Sequence, residues 1–228
     1  MRTLAIAVTA MLASTPLFAQ EHAVTDTRGY VMGLGGFSVS VGNSTGNSLL
    51  EAGIRVAPHV MLFGNLGHFG NLQGDLQPSL DATTTSLASN QGLGVTGTGS
   101  VPATYGLAGM RVEMPLGSHL LPYVLGGVGA ARLHPTTSLA FASGIMPDGS
   151  TPDVGTDVTA AVATAGLYTA PSASTAALAT IGGGVQVPLA QHWIVDAGYR
   201  YARIAADNSL GAAPLNTNGM TFGFGYRF

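Results

Sequence analysis

The chain has 228 residues, of which 46% are hydrophobic, only 8% are charged and 33 are glycine. A typical soluble domain is about one-quarter charged, so this composition is unusual for a soluble protein. The absence of cysteine excludes disulfides and thiol chemistry, and the net charge of −3 argues against nucleic acid as a partner. After the first twenty residues, no apolar run approaches the roughly 20 residues of a spanning helix. High apolar content without such a run favours a membrane β-barrel.

The first 19 residues have the pattern of a secretory signal peptide. Arg2 supplies the positive start, Leu4–Leu12 the apolar run, and Ala19 the small residue before the expected cleavage site. The alternative, a membrane anchor, fits less well because the apolar run is short. We expect a signal peptide over residues 1–19, export to the bacterial outer membrane and a mature barrel domain over residues 20–228.

A four-residue pattern of Gly, apolar, polar, apolar occurs four times. The copies are Gly53–Val56, Gly109–Val112, Gly184–Val187 and Gly225–Phe228. The first three are followed by a proline, a histidine and a new apolar run, which is typical of a short turn into another strand. The fourth ends the chain. Four such strand ends predict four pairs of strands, and therefore an all-β, antiparallel transmembrane barrel of about eight strands.

Extending the strands from these positions predicts their approximate bounds and the loops between them. The predicted strands are 29–40, 48–57, 59–69, 102–114, 119–133, 178–188, 192–205 and 218–228. Three connections are short turns on one side, and the loops 41–47, 70–101, 134–177 and 206–217 lie on the other, as transmembrane barrels show. Segments 139–146 and 157–168 are open to two interpretations, as strands projecting above the membrane or as an extra hairpin that raises the count to ten.

The last two strands indicate which face meets lipid. Aromatic and large apolar residues alternate with small and polar ones from Met220 to Phe228. The first set is expected to face lipid and the second the interior. Trp193 is expected at the membrane interface on the short-turn side.

The same alternation places ionisable residues inside the barrel, where they need partners. We predict an internal network formed by Glu51, Arg55, Arg111, Arg132, Asp196, Arg200 and Arg227. A structural role is favoured, because an eight-stranded barrel is only wide enough for side chains. The alternative is a small or gated conductance, for which inward glycines would leave space. Those glycines are predicted to be Gly33, Gly35, Gly126, Gly182 and Gly184.

The strand-end pattern, the signal peptide and the closing sequence Phe222–Phe228 together resemble the small outer-membrane β-barrel proteins. That grouping includes the opacity type, the Ail/Lom type and the barrel domain of the OmpA type. The resemblance implies a non-enzymatic surface or structural role, with outer-membrane lipids and lipopolysaccharide as the surroundings. It also implies that Tyr226 and Phe228 form the signal read by the barrel-assembly machinery.

The two long loops, near 70–101 and 134–177, are rich in Ala, Ser, Thr and Gly and contain acids but no arginine. They are predicted to be flexible and weakly anionic. They could bind a surface ligand, or they could simply shield the barrel, and the second interpretation is favoured.

Enzymatic and metal functions are disfavoured. Resemblance to a lipid hydrolase of the outer membrane would require a His-x-Ser pair on one strand with a nearby acid. The nearest sequence here is His134-Pro135-Thr136. His59, His119 and His192 fall in three separate turns around the rim, and no carboxylate recurs beside them. We therefore expect no catalytic residue, no metal and no cofactor.

Overall fold

A closed antiparallel β-barrel forms most of the computed structural model, which describes residues 28–40, 43–72, 76–116, 120–189, 191–205 and 214–228. The barrel strands are β1 (Gly29–Ser40), β2 (Asn43–Ala57), β3 (Val60–Phe69), β5 (Ala103–Glu113), β6 (Leu121–Leu133), β8 (Ser174–Pro188), β9 (Trp193–Ala205) and β10 (Leu215–Arg227). The long loops hold α1 (Leu76–Gln91), β4 (Gly94–Ser100), β7 (Thr136–Ser143) and α2 (Thr159–Thr164). The predicted signal peptide lies outside the described residues.

The strands follow one another around the barrel in the order β1-β2-β3-β5-β6-β8-β9-β10, and β10 pairs with β1 to close it. The predicted count of eight is confirmed. At the seam, the Phe228 N–H donates to the Gly29 carbonyl at 3.0 Å, and the Gly29 N–H donates back at 3.0 Å. The first loop is shorter than predicted, because β2 already begins at Asn43 and pairs with β1 from there.

Side chains alternate between a buried interior and an exposed outer face, as period-2 strands require. On β10, Phe222 and Phe224 are 53% and 52% exposed, whereas Thr221 is fully buried. The predicted polarity of this strand is confirmed. Trp193 faces outward at the short-turn end of β9 and stacks on Phe224, with 5.0 Å between the ring centroids.

On two strands the predicted faces were wrong. Tyr30, Met32 and Leu34 occupy the inner face of β1, so Gly33 and Gly35 face outward. On β6, the odd-numbered residues are the inward ones. The outward residues of β6 include Gly126 and Arg132. On β8, Gly182 and Gly184 face inward, as predicted.

The predicted inward placement of Arg132 failed because β6 has little hydrophobic contrast between its faces. Its middle consists of Gly126, Gly127, Val128 and Gly129, so hydrophobicity does not determine which set points inward. The end of the strand fixes which residues face inward, because Ala131 and Leu133 are fully buried and Arg132 lies between them. At the loop end of a strand, an outward arginine can reach the lipid headgroups, which makes this position tolerable.

The two long loops fold together into a small unit that we call the loop lobe, residues 76–100 and 136–167. β4 pairs with β7 across the two loops, and α1 packs on that sheet. The predicted strand at 139–146 overlaps β7, but 157–168 contains α2 instead of a strand. β7 adds nothing to the barrel, because it pairs with β4. Neither helix in the described part of the chain is long and apolar enough to cross a membrane.

Candidate functional site: the charged barrel interior

A buried ion cluster occupies the middle of the barrel, where β2, β5 and β9 face one another. Arg111 Nη2 donates to Glu51 Oε1 at 2.8 Å, and Arg200 Nη2 lies 2.9 Å from Glu51 Oε2. Glu51 and Arg111 are fully buried. Asp196 Oδ2 lies 4.0 Å from Arg111 Nη2, at the margin of an ion pair. Four of the predicted network residues therefore come together as one cluster, which we call the central cluster.

Two tyrosines complete the central cluster. The Tyr30 hydroxyl donates to Glu51 Oε1 at 2.8 Å, and the Tyr123 hydroxyl donates to Asp196 Oδ1 at 3.0 Å. The Arg111 guanidinium lies 4.9 Å from the Tyr30 ring centroid and 4.0 Å from that of Tyr123. Both contacts are within the range of cation–π attraction.

Glycine on the neighbouring strands makes room for these rings. A Cβ at Gly53 would lie 2.4 Å from Tyr30 Cε1, and one at Gly184 would lie 2.7 Å from the Tyr123 hydroxyl. At these two of the four repeated strand endings, a phenol ring therefore fills the space beside the inward glycine. It does not leave open space for an ion path.

A second cluster lies at the short-turn end of the barrel. Arg55 Nη2 donates to Glu113 Oε2 at 2.9 Å, and Arg227 Nη2 lies 3.7 Å from Glu113 Oε1. We call these three residues the lower cluster. Glu113 is not among the predicted network residues, although its spacing of two residues from Arg111 on one strand is sufficient to place it inside. Of the predicted network residues, Arg132 alone lies outside, because its neighbours Ala131 and Leu133 occupy the inward positions.

Above the central cluster the interior is almost filled. Residues such as Phe69, Tyr105, Leu178 and Thr217 surround a cavity of about 20 Å³, which has room for about one water molecule. Tyr105 stacks on Phe69, with 4.7 Å between the ring centroids. The described interior is thus a packed core with charged layers, and this packing argues against an open pore.

The outer face contains a serine–histidine neighbourhood that a linear motif search could not find. Ser48 on β2 is directly opposite His68 on β3, and both are exposed near the loop end of the barrel. A hydrolytic triad would also need an acid nearby. On the described barrel strands, all three acids, Glu51, Glu113 and Asp196, face inward.

The turn histidines are separated around the barrel rim. His59 lies in the turn after β2, and His192 Nδ1 lies 3.1 Å from the Arg227 carbonyl oxygen. His119 is outside the described residues. Within the described ranges, no three His, Cys, Asp or Glu side chains are grouped as metal ligands would be.

Structural comparison places the chain among small outer-membrane barrels. Neisserial surface protein A is 15% identical, with a TM-score of 0.54, and the match covers 88% of this chain and 97% of that one. Ail, the attachment invasion locus protein of Yersinia pestis, is 12% identical, with a TM-score of 0.47 over 89% and 99% of the two chains. The outer membrane enzyme PagL is 12% identical, with a TM-score of 0.40 over 85% and 97%. At these identities the likeness concerns fold alone.

Sequence comparison identifies the family directly. A search of curated proteins returned no significant match. The family model for the outer membrane protein beta-barrel domain matches residues 5–228. This match agrees with the closed eight-stranded barrel and with an aromatic, lipid-facing outer surface. The chain is located in the bacterial outer membrane, and it belongs to the outer membrane protein beta-barrel domain family.

Proposed function

We propose that this protein is a non-enzymatic surface protein in which the barrel is the anchor and the loop lobe is the part that meets the exterior. The observation that supports this most is the packing of the lobe. Leu139 and Val162 are fully buried, and Leu80 and Phe141 are 2% and 5% exposed. A pair of loops that only shielded the barrel would not need its own packed core.

The edges of the lobe sheet are closed by local contacts. On β4, the Gln77 side chain donates to the Gly97 carbonyl at 3.0 Å and accepts from the Gly99 N–H at 3.1 Å. On the far side of β7, the Phe141 and Val158 amides donate to Thr156 and Leu139, respectively. Covered edges prevent pairing with another chain. This leaves the sheet face opposite α1 as the available surface.

That face carries the hydroxyl groups of Thr96, Thr98 and Ser138, and the Ser138 hydroxyl donates to Asp157 Oδ2 at 3.2 Å. Thr98 pairs with Ser138 and Thr96 with Ala140, so their side chains share the face that α1 does not cover. Thr96 and Thr98 are exposed. Such a surface suits a hydrogen-bonding ligand such as a glycan, and it offers little to an apolar partner.

An attachment assay tests this proposal. Cells displaying the full chain are compared with cells displaying Thr96→Val/Thr98→Val, using a glycan-coated surface. We expect the double variant to reduce attachment and the control Thr85→Val, an exposed threonine of α1, to leave it unchanged. Equal attachment of the wild-type, double-variant and empty cells would contradict a ligand-binding lobe.

The enzymatic alternative is tested on the outer face. The chain is incubated with lipopolysaccharide, and released fatty acid is measured. We expect no release above the background of a Ser48→Ala variant, because no acid of the described barrel strands faces His68. Release that Ser48→Ala abolishes would show a lipid hydrolase.

A further inference from the structure

The two faces of the barrel strands differ in the charged residues that they carry. All three acids on the described strands face inward, together with Arg55, Arg111, Arg200 and Arg227. On the outer face of the described barrel strands, the basic residues are His68, Arg132 and Arg203, and all three are exposed. The outer face of the described strands therefore carries basic side chains and no carboxylate.

These basic residues all lie near the loop end of the barrel. His68, Arg132 and Arg203 are each within two residues of the loop end of their strand. On β9, Trp193 and Arg203 share the outward face and are ten residues apart. At about 3.3 Å per residue and a tilt of about 40°, this separation spans roughly 25 Å, the height of the apolar band of such barrels. Trp193 thus marks the lower boundary of the band, and Arg203 the upper one.

The register shows that Arg132 and Arg203 flank a single strand. Arg132 pairs with Thr175 on β8, and Arg203 pairs with Ala179 on the other side of β8. Two strand spacings and four residues place their Cα atoms roughly 16 Å apart. Thr175, Ala177 and Ala179 face outward between them and are small. The two arginines therefore border a shallow surface, and neither forms an ion pair within the described part of the chain.

An apolar groove lies below Arg132 and to one side of it, across β3 and β5 as far as β6. Leu66 and Val128, each 70% exposed, form its sides, and Gly64, Gly106 and Ala108 form much of its floor. Val128 precedes Arg132 by four residues on β6, so the groove is roughly 10 Å deeper in the membrane. This is the depth of acyl chains in the leaflet whose headgroups Arg132 can reach.

We propose that this outer face is a binding site for lipopolysaccharide, with its phosphates on Arg132 and Arg203 and an acyl chain in the Leu66–Val128 groove. Arginine binds phosphate through paired, charge-assisted hydrogen bonds, which suits this assignment. A soluble anion would gain nothing from the groove. An uncharged lipid would gain nothing from the arginines.

The experiment measures binding of fluorescent lipopolysaccharide to the full chain in detergent micelles. Arg132→Gln and Arg203→Gln are compared with Arg28→Gln, which removes the same charge from an exposed arginine at the opposite end of the barrel. We expect Kd to rise about fivefold or more for each of the first two and to stay unchanged for the third. Arg132→Lys should give an intermediate value, because it keeps the charge and loses the paired geometry.

Two further arms separate the phosphates from the acyl chain. Phosphatase-treated lipopolysaccharide should bind more weakly to the wild type and equally to the wild type and Arg132→Gln. Ala108→Phe, which fills the groove, should weaken binding of lipopolysaccharide but not of its deacylated saccharide. The proposal is overturned if Arg28→Gln weakens binding as much, if dephosphorylation has no effect, or if inorganic phosphate binds as tightly as the lipid. Each variant is first checked for the mobility shift on boiling that marks a folded barrel.

Discussion

At the residue scale, Glu51 is a carboxylate buried in the middle of the barrel. It is fully buried, contacts two arginines and accepts a hydrogen bond from Tyr30. Burying a charge is costly unless it is paired, and removing one partner leaves the other charge buried without compensation. The central cluster is therefore a structural requirement of a narrow interior that carries polar residues.

Glu51→Gln tests this requirement. The substitution leaves Arg111 and Arg200 without their shared carboxylate, and we expect a loss of about 3–5 kcal/mol in unfolding free energy. The measurement is denaturant unfolding in micelles, followed by the fluorescence of Trp193. Glu113→Gln is the matched control, and its effect should be smaller because its partner Arg55 is 14% exposed at the barrel end. Equal stability of Glu51→Gln and wild type would contradict a stabilising role.

Asp148, outside the membrane, allows a pH prediction. Its carboxylate accepts hydrogen bonds from the Ser150 hydroxyl at 2.6 Å and the Ser150 N–H at 2.9 Å, which lower its pKa below the ordinary 3.8. A lowered pKa stabilises the turn above pH 3.8, and this contribution is lost as the pH falls through the folded-state value. We expect Ser150→Ala to move the pKa of Asp148 back toward 3.8, measured by NMR titration of the carboxyl carbon. Ser172→Ala, also exposed, should leave it unchanged.

At the element scale, the strands were predictable and the lobe was not. The Gly-apolar-polar-apolar endings alternate strongly, so the ends of β2, β5, β8 and β10 were located to within one residue. Small residues on both faces of β6, and glycines on β1, gave no hydrophobic contrast, and those faces were assigned wrongly. β4 and β7 pair across more than 30 intervening residues, and α1 buries only Leu76, Leu80 and Leu87 in a polar sequence. No local pattern reports such a pairing.

The edge of β4 depends on one side chain of α1. Gln77→Ala removes the donor to Gly97 and the acceptor for Gly99, and it exposes the strand edge to water. We expect hydrogen exchange of the Gly99 amide to accelerate about tenfold, which corresponds to the loss of one net hydrogen bond. Gln91→Ala, at the exposed end of the same helix, should leave this rate unchanged. An unchanged Gly99 rate in Gln77→Ala would mean that α1 covers the edge by packing alone.

At the scale of the whole molecule, the closed barrel acts as an anchor for the loop lobe and not as a channel. Its interior is filled by the central cluster, the lower cluster and the packed layer above them, so it holds the lobe at the surface without providing a passage. We expect no single-channel steps when the purified chain is added to a planar bilayer. Steady steps in the wild type would mean that the charged layers move apart, and would support the conductance alternative.

A substitution at the end of the last strand can distinguish an effect on assembly in cells from an effect on the stability of the folded barrel. The backbone of Phe228 closes the seam, whereas its side chain is 57% exposed on the outer face and contributes little to the interior. If Phe228 belongs to an assembly signal, Phe228→Ala should reduce the heat-modifiable barrel in the outer-membrane fraction of cells several-fold. The same variant, refolded in detergent, should unfold at nearly the wild-type denaturant concentration. Phe222→Ala, which removes a ring of similar exposure (53%) from the outer face of β10, is the control that should assemble normally. An equal loss of assembly in both variants would mean that the cell reads the aromatic content of the strand and not its terminal residue.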